Sequence, residues 1–273
     1  MPRGAQFFVV SAVFHYLGPS FAVLLFAQVA PLGVAWLRIA TAALVYAAWR
    51  RPWRFVRRPS RDVVAMGVVL GLMNPCFYLA IDRLPLATVA AIEFLPVVAL
   101  AAAGVRDRRN AAALVVAFGG VWLLSEARIA GEPLGFVLAF VNAGLFSLYI
   151  VLAHRVSRSP AVRGIDGLAT AMLVASAVVT PLGITAAAPA FHGPALLAAA
   201  VGVGVTSSVV PYVFDQLAMA QMARATYALF VSLLPATAAV IGVVVLAQVP
   251  AAGEVAGIGL VAAGVALHRE PLS

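Results

Sequence analysis

The amino-acid sequence predicts an all-α, polytopic membrane protein of ten transmembrane helices, arranged as two inverted five-helix repeats. Of its 273 residues, 64% are hydrophobic and 10% are charged, whereas a soluble domain carries about 25% charged residues. Apolar runs of about twenty residues recur from end to end, and each is long enough to cross ~30 Å of hydrocarbon. Similar segments in the two halves of the chain indicate the repeat.

The predicted spans follow these apolar runs in order and are joined by short loops. They cover approximately residues 6–26, 31–49, 62–81, 86–105, 110–126, 133–153, 166–187, 195–218, 225–247 and 251–267. The first run is longer than the core of a signal peptide and lacks a small-residue cleavage site, so we expect an uncleaved first helix. Ten such spans leave no room for a folded soluble domain, and the function is therefore expected within the bilayer.

The two halves of the chain share a short segment that joins consecutive spans. The segment LAIDRLPLAT at 79–88 matches LAMAQMARAT at 217–226 at four positions, and a proline follows in the next span, Pro96 or Pro235. Five helices cross the membrane an odd number of times, so the second copy is inverted relative to the first. The predicted repeats cover residues 1–127 and 128–273.

Arginine placement predicts the orientation. All eighteen basic residues are arginine, and fifteen lie at the termini or in the loops on one side of the predicted spans. Only Arg83 and Arg128 lie on the other side, and Arg38 lies inside a span. Because basic loops stay in the cytoplasm, we expect a multi-pass protein of the inner membrane with both termini cytoplasmic.

Several classes of function are not supported by the sequence. The net charge of +8 comes from arginines between apolar runs rather than along one polar face, so nucleic acid is not an expected partner. Without lysine the chain has no Walker A loop, and no HEXXH or CXXC spacing predicts a metal or any other cofactor. The single cysteine, Cys76, lies in an apolar run and forms no disulfide within the chain.

Two charged residues lie well inside predicted spans. Arg38 and Glu93 each follow the start of a span by seven residues, about 10 Å, and both spans run in the same direction, so we expect them to meet. Burial of such charges costs at least ~2.5 kcal/mol each, which favours a partner or a wet cavity. They either bind the two ends of an amino-acid zwitterion or form a structural ion pair. Glu93 is also a candidate for carrying a coupling proton.

Other polar side chains within the spans are further candidates. His15, near the middle of the first span, suits a proton relay or hydrogen-bonded packing. Asn74, Tyr78 and Asn142 either line a cavity or hydrogen-bond across helices. Asp215, near the cytoplasmic end of the eighth span, is either a solvated helix end or a gate or proton site.

Prolines and glycines mark expected bends and close contacts. Pro96 and Pro235 occupy corresponding places in the two halves and are candidate hinges, because a proline frees a carbonyl and bends its helix. Gly67 and Gly71 have the spacing of close helix packing within the chain.

An enzyme or a purely structural protein fits these features less well than a transporter. Ser20 and His15 face each other poorly on one helix and lack a third group, which argues against nucleophilic catalysis. A structural protein would leave the buried charges and matched prolines unexplained. We therefore expect a secondary transporter with a small-molecule site near the midplane between the halves, opened alternately to either side.

Three stretches carry a resemblance to a known family. They are WLRIATAAL at 36–44, GLMNPCFYLAIDRLPLATVAAIEF at 71–94 and VVPYVFDQLAMAQMARATYALFVSLLPATAAV at 209–240. The chain resembles the EamA-like drug/metabolite transporter superfamily over nearly its whole length, and within it the threonine/homoserine exporter group.

The resemblance implies export of small amino acids or related metabolites in exchange for protons. It also implies an acidic residue after a Pro-Tyr pair, which Asp215 supplies here. The family often has glutamate where this chain has Leu234 and Gln248. Another amphipathic metabolite or a drug is the alternative substrate.

Overall fold

The computed structural model describes residues 3–52, 60–103, 108–126, 132–157, 164–221 and 234–267. Every regular element in these ranges is a helix, and none of the described residues forms a strand. The predicted all-α class is therefore confirmed. In hydrocarbon the backbone must satisfy its own hydrogen bonds, and consecutive apolar runs do so as helices.

The helices follow the predicted spans closely. In chain order they are α1 (Arg3–Leu25), α2 (Pro31–Arg50), α3 (Arg61–Ile81), α4 (Leu86–Ala103), α5 (Arg108–Glu126), α6 (Pro133–Ser157), α7 (Gly164–Gly183), α8 (Pro194–Gly204), α9 (Val210–Gln221), α10 (Leu234–Leu246) and α11 (Ala252–Leu267). A 3₁₀ helix, Ala188–His192, follows α7, and a π-helical segment, Val205–Val209, joins α8 to α9. The first part of the predicted ninth span lies outside the described residues.

Six helical stretches in the described ranges are long and apolar enough to cross a membrane. They are Gly4–Leu25, Pro31–Arg50, Arg61–Ile81, Pro133–Ala153, Ile165–Gly183 and Pro194–Ala218. The apolar stretches Leu234–Leu246 and Ala252–Gly264 are shorter. The count of ten spans stays a prediction.

Helix starts use the residues expected at such positions. Pro31 and Pro194 stand at the starts of α2 and α8, where the missing N–H costs nothing because the first turn has no intrahelical acceptor. Ser60 caps α3, and its side chain accepts a hydrogen bond from the Val63 N–H at 3.3 Å.

Two predicted spans differ from the observed helices. The seventh helix ends at Gly183 rather than at residue 187, and the chain then turns into the 3₁₀ helix, which contains Pro189. The eighth span is interrupted by the π segment, where wider turns change the backbone hydrogen bonding. An apolar pattern alone does not distinguish these turns from regular α-helix.

The bundle is held by contacts between the first five helices and the later ones. Helix α3 packs on α6 and α7, α1 packs on α9 and α10, and α2 packs on α7 and α8. Helix α4 packs on α6 and α10, while α5 packs chiefly on α11. Large apolar side chains on the outside, such as Leu44, Val115 and Val244, are 71%, 71% and 76% exposed. These side chains face lipid in a membrane.

Close packing of α3 on α7 depends on two glycines. A Cβ atom added to Gly67 would lie 2.6 Å from the Ala171 carbonyl oxygen, and one added to Gly71 would lie 2.9 Å from the Ala175 oxygen. Neither position has room for a side chain. The predicted packing role of this glycine pair is confirmed.

Ion pairs and loop contacts define the two faces of the bundle. On the face that we call the arginine face, Arg50 Nη2 lies 2.7 Å from Asp166 Oδ1 and joins the end of α2 to the start of α7. On the opposite face, the loop 82–85 lies beside the loop 247–251, and Gln248 Oε1 accepts a hydrogen bond from the Leu86 N–H at 3.2 Å.

Candidate functional site

A cluster of polar and aromatic side chains, all buried except the half-buried His15, occupies the middle of the bundle, between the two faces. We call it the buried cluster, and α1, α2, α3, α4, α6, α9 and the π segment contribute to it. Its members are His15, Tyr16, Arg38, Asn74, Tyr78, Glu93, Asn142, Phe146, Tyr149, Ser207, Ser208 and Tyr212.

Arg38 lies in this cluster and is bound to the π segment. Its Nε donates to Ser208 Oγ at 2.6 Å, and its Nη2 donates to the Ser207 carbonyl oxygen at 2.8 Å. Its guanidinium carbon lies 5.4 Å from the centre of the Tyr78 ring, in the range of a cation–π contact. The residue is only 4% exposed. Two of the guanidinium nitrogens, Nε and Nη2, are therefore used in hydrogen bonds to the π segment of the eighth span.

The two serines were not predicted as site residues. Ser207 and Ser208 are both fully buried, although they lie in an otherwise apolar run. A pair of adjacent hydroxyls in the middle of a span could have identified them as candidates, because polar groups in hydrocarbon need hydrogen-bond partners.

Glu93 lies on α4 and has a polar partner on α6. Asn142 Nδ2 donates to Glu93 Oε1 at 3.0 Å, and the two residues are 3% and 0% exposed. The second carboxyl oxygen, Oε2, has no hydrogen-bond partner among the described residues. Arg38 and Glu93 are near enough to interact through their charges, but they make no direct ion pair among the described residues.

Aromatic rings surround His15. Its ring centre lies 5.5 Å from that of Tyr16, 6.4 Å from that of Phe146 and 6.2 Å from that of Tyr212, all in edge-on geometry. The Tyr149 ring lies 5.8 Å from the Tyr212 ring and extends this wall. The predicted candidate His15 thus lies within the cluster.

The candidates on α3 also belong to the cluster. Tyr78 is fully buried beneath the Arg38 guanidinium. Asn74 Nδ2 donates to the Leu70 carbonyl oxygen at 2.8 Å, which leaves its side-chain oxygen without a partner among the described residues.

Eight buried side-chain atoms have no hydrogen-bond partner among the described residues. They are Tyr16 OH, Asn74 Oδ1, Tyr78 OH, Glu93 Oε2, Asn142 Oδ1, Ser147 Oγ, Tyr149 OH and Ser207 Oγ. Each such group costs about 1–3 kcal/mol if it stays unpaired, and native structures hold few of them. Seven of the eight belong to the buried cluster. Their concentration is typical of a site that a polar ligand completes.

Asp215 lies in α9 and is 8% exposed. Ser11 Oγ on α1 donates to Asp215 Oδ1 at 2.6 Å and also lies 3.1 Å from the Pro211 carbonyl oxygen. The interpretation of Asp215 as a solvated helix end is wrong, because the packing of α1 against α9 covers the carboxylate. Its role as a gate or proton site stays a prediction.

The two candidate hinge prolines lie on helices that pack together. Pro96 is within α4, although its side chain lies outside the described residues, and Pro235 is buried in α10. Among the described residues no three histidine, cysteine, aspartate or glutamate side chains gather into a metal site.

The fold is that of a solved protein. A crystal structure superposes with a TM-score of 0.61 over 97% of this chain and 95% of that chain, at 18% sequence identity. No protein-family model matches the chain.

The apolar helices around an enclosed polar cluster are typical of a multi-pass membrane protein. The threonine/homoserine exporter RhtA of Salmonella typhimurium is 30% identical over 236 residues, which cover 85% of this chain and 79% of that protein. RhtA of Escherichia coli K12 is 29% identical over 239 residues, with the same coverage. The chain belongs to the family of these threonine/homoserine exporters.

Proposed function

We propose that this protein is a secondary transporter that exports small amino acids, such as threonine or homoserine, across the inner membrane. The observation that carries the proposal is the buried cluster, in which opposite charges and seven unpaired polar atoms are enclosed by apolar helices. Membership of the exporter family supports the same class of substrate.

The chemistry of the cluster suits a zwitterion. Arg38 uses its Nε and one terminal nitrogen on the π segment, so N–H groups of the fork remain for a substrate carboxylate. Glu93 Oε2 and Asn142 Oδ1 are acceptors for a substrate ammonium. The Tyr16, Tyr78 and Tyr149 hydroxyls offer partners to a polar side chain. One ligand would thereby satisfy groups from five separate elements.

Proton exchange through Glu93 is part of the proposal. The carboxyl is buried, and Asn142 supports only one of its oxygens. A buried carboxylate without a bound cation is costly, so an ammonium or a proton is expected on Glu93 at each step of the cycle. Alternation between the two would couple substrate release to proton uptake.

Alternating access is supported by the pattern of helix packing. Helix α3 packs on α6 and α7. Its counterpart five spans later, the α8–α9 span, packs on α1 and α2, which are the counterparts of α6 and α7. Helix α4 packs on α6, while α10, its counterpart, packs on α1, and α5 pairs with its own counterpart α11. Two inverted repeats produce such reciprocal packing, and rocking one against the other opens a central site to either side.

Counterflow in proteoliposomes tests the proposed function. Vesicles loaded with unlabelled threonine or homoserine and diluted into labelled threonine should accumulate label, with saturation and with faster uptake under an imposed proton gradient. A variant at the lipid-facing Leu44, Leu44→Ala, serves as the control and should transport as the native chain does.

A flat time course with correctly folded protein would reject amino-acid export. In that case a thermal-shift screen of amphipathic metabolites would identify the alternative ligand, because a ligand of the folded state raises the unfolding temperature.

A further inference from the structure

A cavity opens at the face opposite the arginine face. It has a volume of about 280 Å³ and lies between the loop 82–85, from the first half of the chain, and the loop 247–251, from the second half. We call it the vestibule. It shares no lining residue with the buried cluster, and its volume is near the lower end of the ~300–1,000 Å³ of small-molecule pockets.

The vestibule wall carries both signs of charge. Arg83 is held by a hydrogen bond from its Nη1 to the Leu79 carbonyl oxygen at 2.8 Å, and the same nitrogen lies 3.6 Å from Asp82 Oδ2. Glu254 is 3% exposed, and its Oε2 accepts from the Ala251 N–H at 2.9 Å. Because backbone groups fix Arg83 and Glu254, the charges are positioned before any ligand arrives.

The charged side chains of the wall suit a ligand that carries both signs of charge. Among the lining residues that the structure describes, Asp82 and Glu254 carry carboxylates and Arg83 carries a guanidinium. A zwitterion meets a guanidinium for its carboxylate there and a carboxylate for its ammonium. A small amino acid is the chemistry that this wall fits.

The position of the vestibule connects it with the buried cluster. Thr88 is part of the cavity lining and is 1% exposed. Glu93 follows it by five residues on the same helix, α4, which is about 7.5 Å along the helix axis. At the rim, the bond from the Leu86 N–H to Gln248 Oε1 joins the two loops across the halves. Along the axis of α4, the vestibule therefore lies between the depth of Glu93 and this face of the bundle.

We propose that the vestibule is a second, weaker binding subsite for a zwitterionic amino acid, with Arg83 on the ligand carboxylate and Asp82 on its ammonium. The choice of an amino acid rests on the proposed function. The subsite would hold the solute between the buried cluster and the aqueous phase, and would bind it from that one side only.

Calorimetric titration of the purified full chain with threonine tests the subsite. The native chain should show two classes of site. Arg83→Gln should weaken the low-affinity class about tenfold, the size expected for one lost charge-assisted contact at a half-exposed position. Arg83→Lys, which keeps the charge, should recover part of the loss. Arg155→Gln, at an exposed arginine on the other face, is the control and should change neither class.

The outcomes separate the subsite from the main site. Glu93→Gln should remove only the high-affinity class. If the high-affinity class is missing in the native chain while the Arg83-dependent class remains, the proposed function falls and the vestibule site stands. A single class of site that Arg83→Gln does not weaken, or two classes that both survive Arg83→Gln in a folded protein, overturns the vestibule proposal.

Discussion

Arg38 and Glu93 lie in one cluster but have different structural partners. Arg38 donates two hydrogen bonds to the π segment, and their loss would remove these donors from the buried Ser208 hydroxyl and the Ser207 carbonyl oxygen. Glu93 accepts a single bond from Asn142. Arg38 therefore stabilises the local backbone in addition to any contact with a ligand, whereas most of the hydrogen-bonding capacity of Glu93 is available to a ligand.

This difference predicts unequal effects of neutralising the two charges. Arg38→Met should lower the unfolding temperature in detergent, because two buried acceptors lose their donors at about 1–3 kcal/mol each. Glu93→Gln keeps an oxygen for Asn142 and should leave stability nearly unchanged. It should lower the kcat/KM of amino-acid transport about 10- to 100-fold through loss of a charge-assisted contact.

Thermal unfolding and counterflow, measured on the same preparations, check both expectations. Full transport by a folded Glu93→Gln variant would remove Glu93 from the substrate site. Equal stability losses in the two variants would mean that the structural roles of the two residues do not differ.

A second matched pair separates an unpaired hydroxyl from a paired one. The Tyr46 hydroxyl lies 3.4 and 3.3 Å from the Ser208 and Val209 carbonyl oxygens, while the Tyr78 hydroxyl has no partner among the described residues. Tyr46→Phe should cost about 0.5–1.5 kcal/mol of stability. Tyr78→Phe should cost none and should instead reduce substrate affinity, measured by titration. Lower stability for Tyr78→Phe with unchanged affinity would contradict a ligand-facing hydroxyl.

Sequence patterns identified many of the cluster residues but not their pairing. A charged or amide side chain in an apolar run is conspicuous, so Arg38, Glu93, Asn74 and Asn142 were found as candidates. The direct meeting of Arg38 and Glu93 was expected from equal depth, and they do not pair directly. Depth along a helix fixes one coordinate only, whereas pairing also depends on the rotation of each helix about its axis.

At the scale of helices, the π segment was beyond prediction from composition. The run VGVGVTSSVV has the length and apolar character of an ordinary span. Its widened turns have partners that lie far away in the sequence, since Arg38 and the Tyr46 hydroxyl contact the carbonyl oxygens of Ser207, Ser208 and Val209. By contrast, the close approach of α3 to α7 was evident in the spacing of two glycines.

Glycine substitutions test that close approach. Gly67→Ala should destabilise the protein by about 1–3 kcal/mol, because the added methyl group overlaps the Ala171 carbonyl oxygen across the interface. Gly144→Ala is the control on α6, where an added Cβ meets nothing within 4 Å. There the change should leave stability unchanged or raise it, since alanine favours a helix. Similar unfolding temperatures for the two variants would argue against tight α3–α7 packing.

The prolines of α4 and α10 yield a kinetic prediction. Replacing Pro96 or Pro235 by alanine restores a backbone donor and stiffens the helix. If both prolines act as hinges, maximal flux should fall more than substrate affinity, because the slowed step is the opening and closing of the site. Concentration series of counterflow separate the two quantities, and unchanged flux in both variants would leave these prolines with a packing role.

On the scale of the whole molecule, the core lies between the halves rather than within them. The predicted boundary at 127 and 128 falls outside the described residues, yet the main contacts of α3 cross it. The all-α class and most helix ends were evident from apolar runs, because hydrocarbon leaves the backbone few alternatives. The sequence did not indicate which helices contact each other, because apolar side chains that face lipid and those that face another helix look alike in a sequence.

Reporter fusions test the predicted orientation. Fusions after Ser60 and after Ser159 should report the cytoplasm, and a fusion after Gly193 should report the periplasm, because fifteen of eighteen arginines lie on the expected cytoplasmic side. The Arg50–Asp166 pair already joins the ends of α2 and α7 at one face. A periplasmic signal at Ser60 would reject both the orientation and the inverted arrangement.

The π segment also sets the angular phase of everything that follows it on the eighth span. A turn closed by an i to i+5 bond contains about one more residue than an α-turn, and each α-helical residue advances the chain by about 100° around its axis. If all five residues from Val205 to Val209 formed regular α-turns, Tyr212 and Asp215 would rotate away from α1, by up to about 100°. Deleting one of the five residues would restore a continuous α-helix and keep both side chains directed toward α1. A one-residue gap in this run, when related chains are aligned, is therefore compatible with the same side chains facing the centre.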